Sequence, residues 1–278
     1  MPEGPEIKRA ADRLAAAVCD RPLKGVFFAF EHLKPYEAVL TQEEVMRVQP
    51  QGKALLIRFT NALSIYTHNQ LYGRWYIRAA QSYPTTNRQL RLALHTARKS
   101  ALLYSASDIA VLTDDEVAGH PFLRRLGLDV LDASTTIAQV QARLLDPRFR
   151  RRSLTSLLLD QSFLCGLGNY LRSEVLFVAG VHPSLRPIDC TPEQIQQLAQ
   201  AAIAVSQQSY RTQGITNDLA IVAQLKQQGY PRSAYRHFVF GRDQKPCFRC
   251  GTLIVKTIAG GRRIYHCPQC QTQCLAVL

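Results

Sequence analysis

Near its C-terminus the chain reads Cys247-Phe248-Arg249-Cys250 and then, after sixteen intervening residues, Cys267-Pro268-Gln269-Cys270. Each pair can wrap a tight knuckle around one side of a tetrahedron, and the insert between them is long enough to run out and return as a hairpin. Four thiolates, from Cys247, Cys250, Cys267 and Cys270, close the shell of a single Zn²⁺ and leave no position for substrate, so the expected site is structural. Two disulfides or four idle thiols are the competing reading of the same spacing. Eight cysteines in 278 residues are too few for a secreted disulfide scaffold. Cys274 falls outside the pattern and reads as a spare thiol, while Cys19 and Cys165, among apolar neighbours, read as small buried hydrophobes.

Charge gathers around this element. From Lys226 onward there are nine Lys or Arg against one acid, Asp243, which makes +8 of the formal +13. A basic zinc hairpin is a compact way to hold cations against phosphates, so nucleic acid is the leading partner; a solvated charged face is the bland alternative. With 46% hydrophobic and 20% charged residues the chain can bury a true core. No apolar run approaches the roughly 18 to 20 residues needed to span a bilayer, and the start lacks a signal-peptide layout, so a cytoplasmic protein is expected, with no membrane partner.

Periodicity divides the rest. Ile7, Ala10, Ala11, Leu14 and Val18 recur at helical spacing behind Pro5, which suits a first turn, with Glu3 and Glu6 at the positive end of the dipole. Beyond Pro22, short apolar segments at 25–30, 54–60, 63–67, 90–95 and 101–105 suggest a β-sandwich or barrel. From Gly127 the pattern becomes helical, with helices expected at 136–145, 153–165, 169–179 and 192–209. Residues 217–228 look polar and weakly periodic, a linker or loop. Arg143, Arg148, Arg150, Arg151 and Arg152 cluster around Pro147 as phosphate candidates.

Three constellations could carry chemistry. Methionine before proline is usually removed, which leaves Pro2 with a secondary α-amine. Such a terminus titrates at about 7.7–8.0 against about 10.4 for lysine, and a following helix dipole lowers it further. A secondary amine attacking an aldehyde-like carbon forms a cationic iminium, an electron sink for elimination, with Glu3 and Glu6 close by to move protons. Read alone, the same residues are simply a solvated start. Gly166-Leu167-Gly168-Asn169-Tyr170 permits a tight turn that presents N–H groups and the Asn169 amide to a phosphate, although a plain helix connector would look similar. Gln70-Leu71-Tyr72-Gly73 could push into a base stack and fill the space of an extruded nucleotide, or could be an ordinary strand end.

Together, Met1-Pro-Glu-Gly-Pro-Glu6, Gln51-Gly-Lys53, Gly166-Leu-Gly-Asn-Tyr170 and the four-cysteine finger resemble the Fpg/Nei family of bifunctional DNA glycosylases, and within it the endonuclease VIII branch. Gly4 after Pro2-Glu3, the Gln-Leu-Tyr segment, Tyr104–Ile109 and His120–Arg125 also look like that branch. The resemblance runs from Pro2 through Gln271. It implies an α+β, multidomain protein: an N-terminal helix plus β-sandwich over 1–130, a helix–two-turn–helix domain over 131–225, and a C-terminal domain over 226–278 with the zinc finger at about 238–272.

The resemblance also implies roles. Pro2 is the nucleophile, Glu3 assists by proton transfer, Lys53 supports base loss and β-elimination, Arg262 supports δ-elimination, and Glu6 helps with proton traffic. Arg263 beside Arg262 leaves the register between them open. Gln70, Leu71 and Tyr72 fill the void of the flipped base, and Arg125 and Asn169 hold phosphates. The expected substrate is damaged double-stranded DNA carrying an oxidised pyrimidine, with one structural Zn²⁺, no nucleotide cofactor and a monomeric enzyme. A formamidopyrimidine-type enzyme acting on oxidised purines and a non-catalytic zinc-finger damage-binding protein are the alternatives.

Overall fold

The structure, a computed structural model, describes residues 2–271; Met1 and residues 272–278, with Cys274 among them, lie outside the described residues. The chain forms two compact units, Met1–Arg125 and Leu126–Leu278.

The first unit starts with helix α1, Gly4–Val18. Strand β1 (Gly25–Phe28) and helix α2 (Pro35–Leu40) follow, then β2 (Val45–Gln51), β3 (Ala54–Phe59), β4 (Leu63–His68), β5 (Arg74–Ala79), β6 (Leu90–His95), β7 (Lys99–Tyr104), β8 (Asp108–Thr113) and α3 (Asp114–Gly119). Two four-stranded sheets form, in the orders β1-β6-β7-β5 and β2-β3-β4-β8, and all their pairings are antiparallel. One core joins them: Ile7, Leu14 and Val18 of α1 pack with Leu55, Ile57 and Ile65 of one sheet and Leu92, Leu94 and Leu103 of the other. Burying the apolar stripe of α1 and the inner faces of both sheets stabilises this unit at roughly 25 cal/mol per Å² removed from water.

Three of these strands, β2, β5 and β8, lie outside the segments read from sequence. β2 has only Val45 fully buried and contains Pro50, so it shows no alternation. Cys19 is partly exposed rather than buried.

The second unit contains short strand β9 (Leu128–Asp129), α4 (Ile137–Leu145), α5 (Leu154–Leu157), β10 (Leu164–Cys165), α6 (Asn169–Val178), α7 (Pro192–Arg211), α8 (Leu219–Gln227), α9 (Arg232–Tyr235) and the hairpin β11 (Val255–Ala259) with β12 (Arg262–His266). Helices α4, α6 and α7 share a core built on Val140, Leu144, Leu171, Val175, Leu198 and Ala202. A second cluster joins Phe177 of α6 to Phe238, Val239 and Ile254 of the cysteine-bearing segment.

Two expectations need correction here. The helix anticipated over 153–165 lasts one turn, because Asp160 accepts from the Ser162 N–H and hydroxyl at 2.8 and 2.7 Å and pairs with Arg152 at 2.6 Å. An acceptor of this kind offers the backbone an alternative to the helical bond. Conversely, 217–228 is largely helical: Asp218 caps α8 by accepting from the N–H groups of Ala220 and Ile221.

Candidate active site and metal centre

In the first unit the structure sets Glu3 as the N-cap of α1, in extended backbone, with Pro5 in the first turn. Glu3 is 4% exposed and Lys53 8%, which is unusual for groups that stay in water unless partnered or functional. The Glu6 carboxylate accepts from the Glu3 N–H at 3.1 Å and from Arg9 at 3.1 Å, so it reaches back as the capping group of the helix. Lys53 ends the turn between β2 and β3, where Gly52 takes φ 58°. Ala54 pairs with His68, so continuing that register sets Lys53 across from Asn69. Burial pushes the His68 imidazole below its ordinary value against the pull of Asp108, and the charge of Lys53 adds to the downward push. Asn69 and Thr67 are buried, and neither Asn69 Oδ1 nor Thr67 Oγ1 has a hydrogen-bond partner among the described residues.

The Gln70-Leu71-Tyr72 segment stands out from the end of β4. Leu71 is 59% and Tyr72 68% exposed, against the usual behaviour of large apolar side chains. Its base is tightly closed. The Gly73 N–H donates to the Asn69 carbonyl at 2.7 Å, and a Cβ on Gly73 would lie 2.7 Å from that same backbone. Gln70, at φ 48°, accepts from Ser107 at 3.0 Å, and Arg88 donates to the Tyr72 carbonyl at 2.6 Å. Arg125 is exposed in a short 3-10 turn and donates through Nε to the Pro121 carbonyl at 2.7 Å.

In the second unit, Gly166 at φ 87° and Gly168 turn the chain into the first residue of α6, Asn169. Gln161 locks the turn, accepting from the Gly166 N–H and donating to the Leu167 carbonyl, both at 3.0 Å. Arg172, one turn along α6 and fully buried, donates to Asn169 Oδ1 at 3.2 Å, to the Thr155 carbonyl at 2.7 Å and to the Arg263 carbonyl at 2.9 Å. It thereby ties Asn169 to the strand that carries Arg262 and Arg263. Arg152, Arg172 and Arg262 line one cavity of about 370 Å³.

Glu174, also fully buried, accepts from the backbone N–H groups of Phe238, Val239 and Phe240 at 2.8–2.9 Å and from the Thr216 hydroxyl. Burial pushes its carboxyl up, opposed by these four donors. Thr216 also contacts His237 Nδ1 at 2.9 Å, and burial, with Arg236 and Arg232 nearby, pushes that imidazole down to about 3. Sequence reading missed Arg172 and Glu174, since charges on a helix ordinarily mark its solvated face.

The arginines around Pro147 are largely committed to structure. Arg143 donates to the Phe163 and Ser162 carbonyls, Arg148 pairs with Asp146, and Arg152 with Asp160.

The four cysteine Sγ atoms lie within 4.8 Å of one another, with Cys247–Cys270 at 3.9 Å and Cys250–Cys267 at 3.5 Å. A tetrahedral zinc with Zn–S bonds of about 2.3 Å needs sulfurs about 3.8 Å apart, so the donor set fits. The Arg249 and Cys270 N–H groups each point at a cysteine sulfur, at 3.4 Å. Hydrogen bonds from the Thr252 hydroxyl and backbone hold the Cys250 thiol down to about 6, whereas burial pushes Cys267 and Cys270 up. The Gln271 amide latches the end of the finger to the Val181 carbonyl at 3.0 Å.

Known proteins share this arrangement. The formamidopyrimidine-DNA glycosylase N-terminal domain matches residues 1–107, and the H2TH domain of the same glycosylases matches residues 126–220. The chain belongs to the Fpg/Nei family of DNA glycosylases. Within it, the chain is similar to proteins named Endonuclease 8. That of Salmonella schwarzengrund is 48% identical over 271 residues, spanning 98% of this chain and the whole of the relative, and that of Klebsiella pneumoniae matches to the same extent. Among solved structures, Lactococcus lactis Fpg with DNA containing an abasic site superposes with a TM-score of 0.79 at 18% identity, covering 97% of this chain and 99% of that one. The same enzyme with DNA containing an oxidised pyrimidine gives 0.79 at 19% identity, over 98% and 100%. At such identities these two matches speak for the fold.

Proposed function

We propose that the chain is a bifunctional DNA glycosylase/AP lyase of base excision repair that removes oxidised pyrimidines through an iminium formed on Pro2. The observation that carries this reading is full-length similarity to Endonuclease 8 in a chain whose Pro2 and buried Glu3 open the first helix.

With Met1 removed, the Pro2 nitrogen attacks C1′ of the damaged nucleotide and the C1′–base bond breaks, the base leaving with a proton. Glu3 moves protons between the sugar and the departing base. Ring opening gives the iminium, which acidifies C2′; loss of a C2′ proton expels the 3′ phosphate in β-elimination. A second elimination expels the 5′ phosphate and leaves a one-nucleotide gap with phosphate on both sides. Water then hydrolyses the iminium and regenerates Pro2. Lys53, buried beside the β3–β4 end, supplies positive charge to sugar and phosphate during base loss and β-elimination. Arg262, in the polar cavity with Arg172, supports δ-elimination. Glu6 holds the Glu3 N–H and acts through that residue.

Extruding a base costs a few kcal/mol, least at a damaged site. The exposed Leu71 and Tyr72, with Gln70, fill the space it leaves, and Arg125 and Asn169 hold phosphates of the kinked strand. Zinc on the four cysteines holds the shape of the finger. The division of labour follows 1–130 for chemistry, 131–225 for the helix–two-turn–helix grip and 226–278 for the finger. The enzyme works as a monomer on cytoplasmic, nucleoid DNA; among the described residues no helix is long and apolar enough to cross a membrane.

Borohydride trapping tests the reading. A duplex bearing an oxidised pyrimidine should become covalently linked to the N-terminal peptide, and Pro2→Gly should slow trapping by at least about tenfold, since a primary amine remains. Undiminished trapping in that variant, or an active enzyme that retains Met1, overturns the assignment. Parallel turnover on thymine glycol and 8-oxoguanine duplexes fixes the substrate.

A further inference from the structure

The positive charge of the chain is not confined to the finger. Residues 45–107 hold nine Lys or Arg and no Asp or Glu, a surplus of +9 against +8 in the C-terminal segment. Six of the nine, Arg74, Arg78, Arg88, Arg91, Arg98 and Lys99, lie on β5, β6, β7 or their connections. Elsewhere in this unit cations meet acids: Arg9 with Glu6, Lys34 with Glu31, Arg58 with Asp114. Among the described residues, no ion pair involves any of the six.

The register sorts them by face. Trp75 and Ile77 point into the sandwich core, so Arg74, Tyr76 and Arg78 lie on the outer face of the β1-β6-β7-β5 sheet, where Tyr104 and Leu102 sit opposite Arg74 and Tyr76. The guanidinium carbons of Arg74 and Arg78 stand 4.9 and 6.0 Å from the Tyr76 ring centre. That pre-orders two planar forks beside one aromatic. Arg91 lies 5.1 Å over Phe30, with its Nε buried and without a hydrogen-bond partner among the described residues. A cavity of about 520 Å³, lined by Tyr72, Arg88 and Arg91 among others, makes this face continuous with the Gln70–Tyr72 loop.

We propose that the outer face of this sheet is a second DNA-binding surface, which carries the phosphate backbone of the duplex arm beyond the lesion. The inference rests on the glycosylase reading. A field of one sign, without internal counter-charge and built mainly from arginine, is complementary to a polyanion, and guanidinium forks match phosphate oxygens. A six-residue strand is about 20 Å long, which corresponds to about six base pairs.

The test measures affinity by fluorescence anisotropy on duplexes carrying an uncleavable tetrahydrofuran abasic analogue, with arms of about 5 or about 15 base pairs on each side, across a salt series. Native protein should bind the long-arm duplex more tightly and with a steeper salt dependence. Combining Arg74→Gln, Arg78→Gln and Arg98→Gln, all exposed positions, should lower the long-arm salt slope by about two to three, at about 0.9 per phosphate released. Long-arm affinity should drop about tenfold or more, while short-arm affinity stays within about twofold. The triple lysine variant should keep the native slope. Equal loss on both arm lengths, or no loss on either, overturns the proposal. Strand nicking of a short-arm abasic duplex by the native protein tests the glycosylase reading separately, because it does not depend on this face.

Discussion

Both units bury polar side chains beneath residues assigned to DNA chemistry, and two neighbourhoods, α6 in the second unit and the β4 end in the first, satisfy them differently. In the second unit Glu174 meets four donors, and Arg172 reaches three carbonyl-type oxygens on three separate segments. In the first unit Thr67 and Asn69, at the β4 end near Lys53, each keep a buried oxygen without a partner among the described residues. Buried groups paired internally hold a framework. Asn69 Oδ1, across from Lys53 at the base of the projecting loop, is an acceptor that a water or a bound molecule can complete.

The largest test of this contrast is the metal. Structural zinc contributes roughly 10–16 kcal/mol of apparent folding free energy in isolated fingers. Metal-free protein, or Cys247→Ser, should therefore lose hydrogen-exchange protection over 238–271 while the sheets of the first unit keep theirs. Surviving protection in 238–271 would mean that the Glu174 and Arg172 contacts suffice alone. Next comes Glu174→Gln, which sets an amide N–H₂ against backbone donors. A loss of about 3 kcal/mol is expected, which lowers the melting temperature on the order of 10 °C; a drop of no more than about 2 °C, roughly a fifth of that loss by the same conversion, would remove the framework role.

A pH series is the third. His237 is held at about 3 when folded, below its unfolded value of about 6.5. Both states are neutral above the unfolded value. As pH falls from there the unfolded chain takes a proton that the folded one refuses, so stability declines until about pH 3. Denaturant melts should show His237→Gln losing less stability on acidification than native protein, by up to about 1.4 kcal/mol per pH unit; parallel profiles would contradict the burial. The smallest effect should come from the first unit. Thr67→Val removes an unpartnered hydroxyl at nearly constant shape, so stability should be unchanged or raised by up to about 1 kcal/mol. A clear loss would show that this oxygen is satisfied after all, and would dissolve the contrast.

Much of this was legible in the sequence. The four cysteines announce their geometry because metal ligation fixes both residue type and spacing, and α1 is visible because its apolar stripe is uninterrupted. The exposed Leu71 and Tyr72 could be picked out because Gly73 closes the turn behind them. Strand β2 was hidden by its half-exposed surface and Pro50, and α8 by having one fully buried residue, Val222. The run of leucines at 154–159 looked helical until Asp160 diverted the backbone. Arg172 and Glu174 were unreadable for a deeper reason. Apart from Asn169, three residues back, their partners lie 17 to 91 residues away in the chain, and a single sequence carries no trace of such pairings.

The polar grip of α6 on the finger is made through main-chain atoms of the finger: the Arg263 carbonyl, the Tyr265 N–H on Ser173, and the amides of 238–240. These bonds are blind to side chains, whereas the packing of Phe177 on Phe238, Val239 and Ile254 and of Ile264 in the helical core is not. Substitutions at the exposed hairpin positions Lys256, Thr257 and Ile258 can therefore change what the finger presents without loosening its seat. The same property makes the hairpin a natural cassette for transplantation between relatives, provided the recipient helix supplies its own Arg172, Ser173 and Glu174.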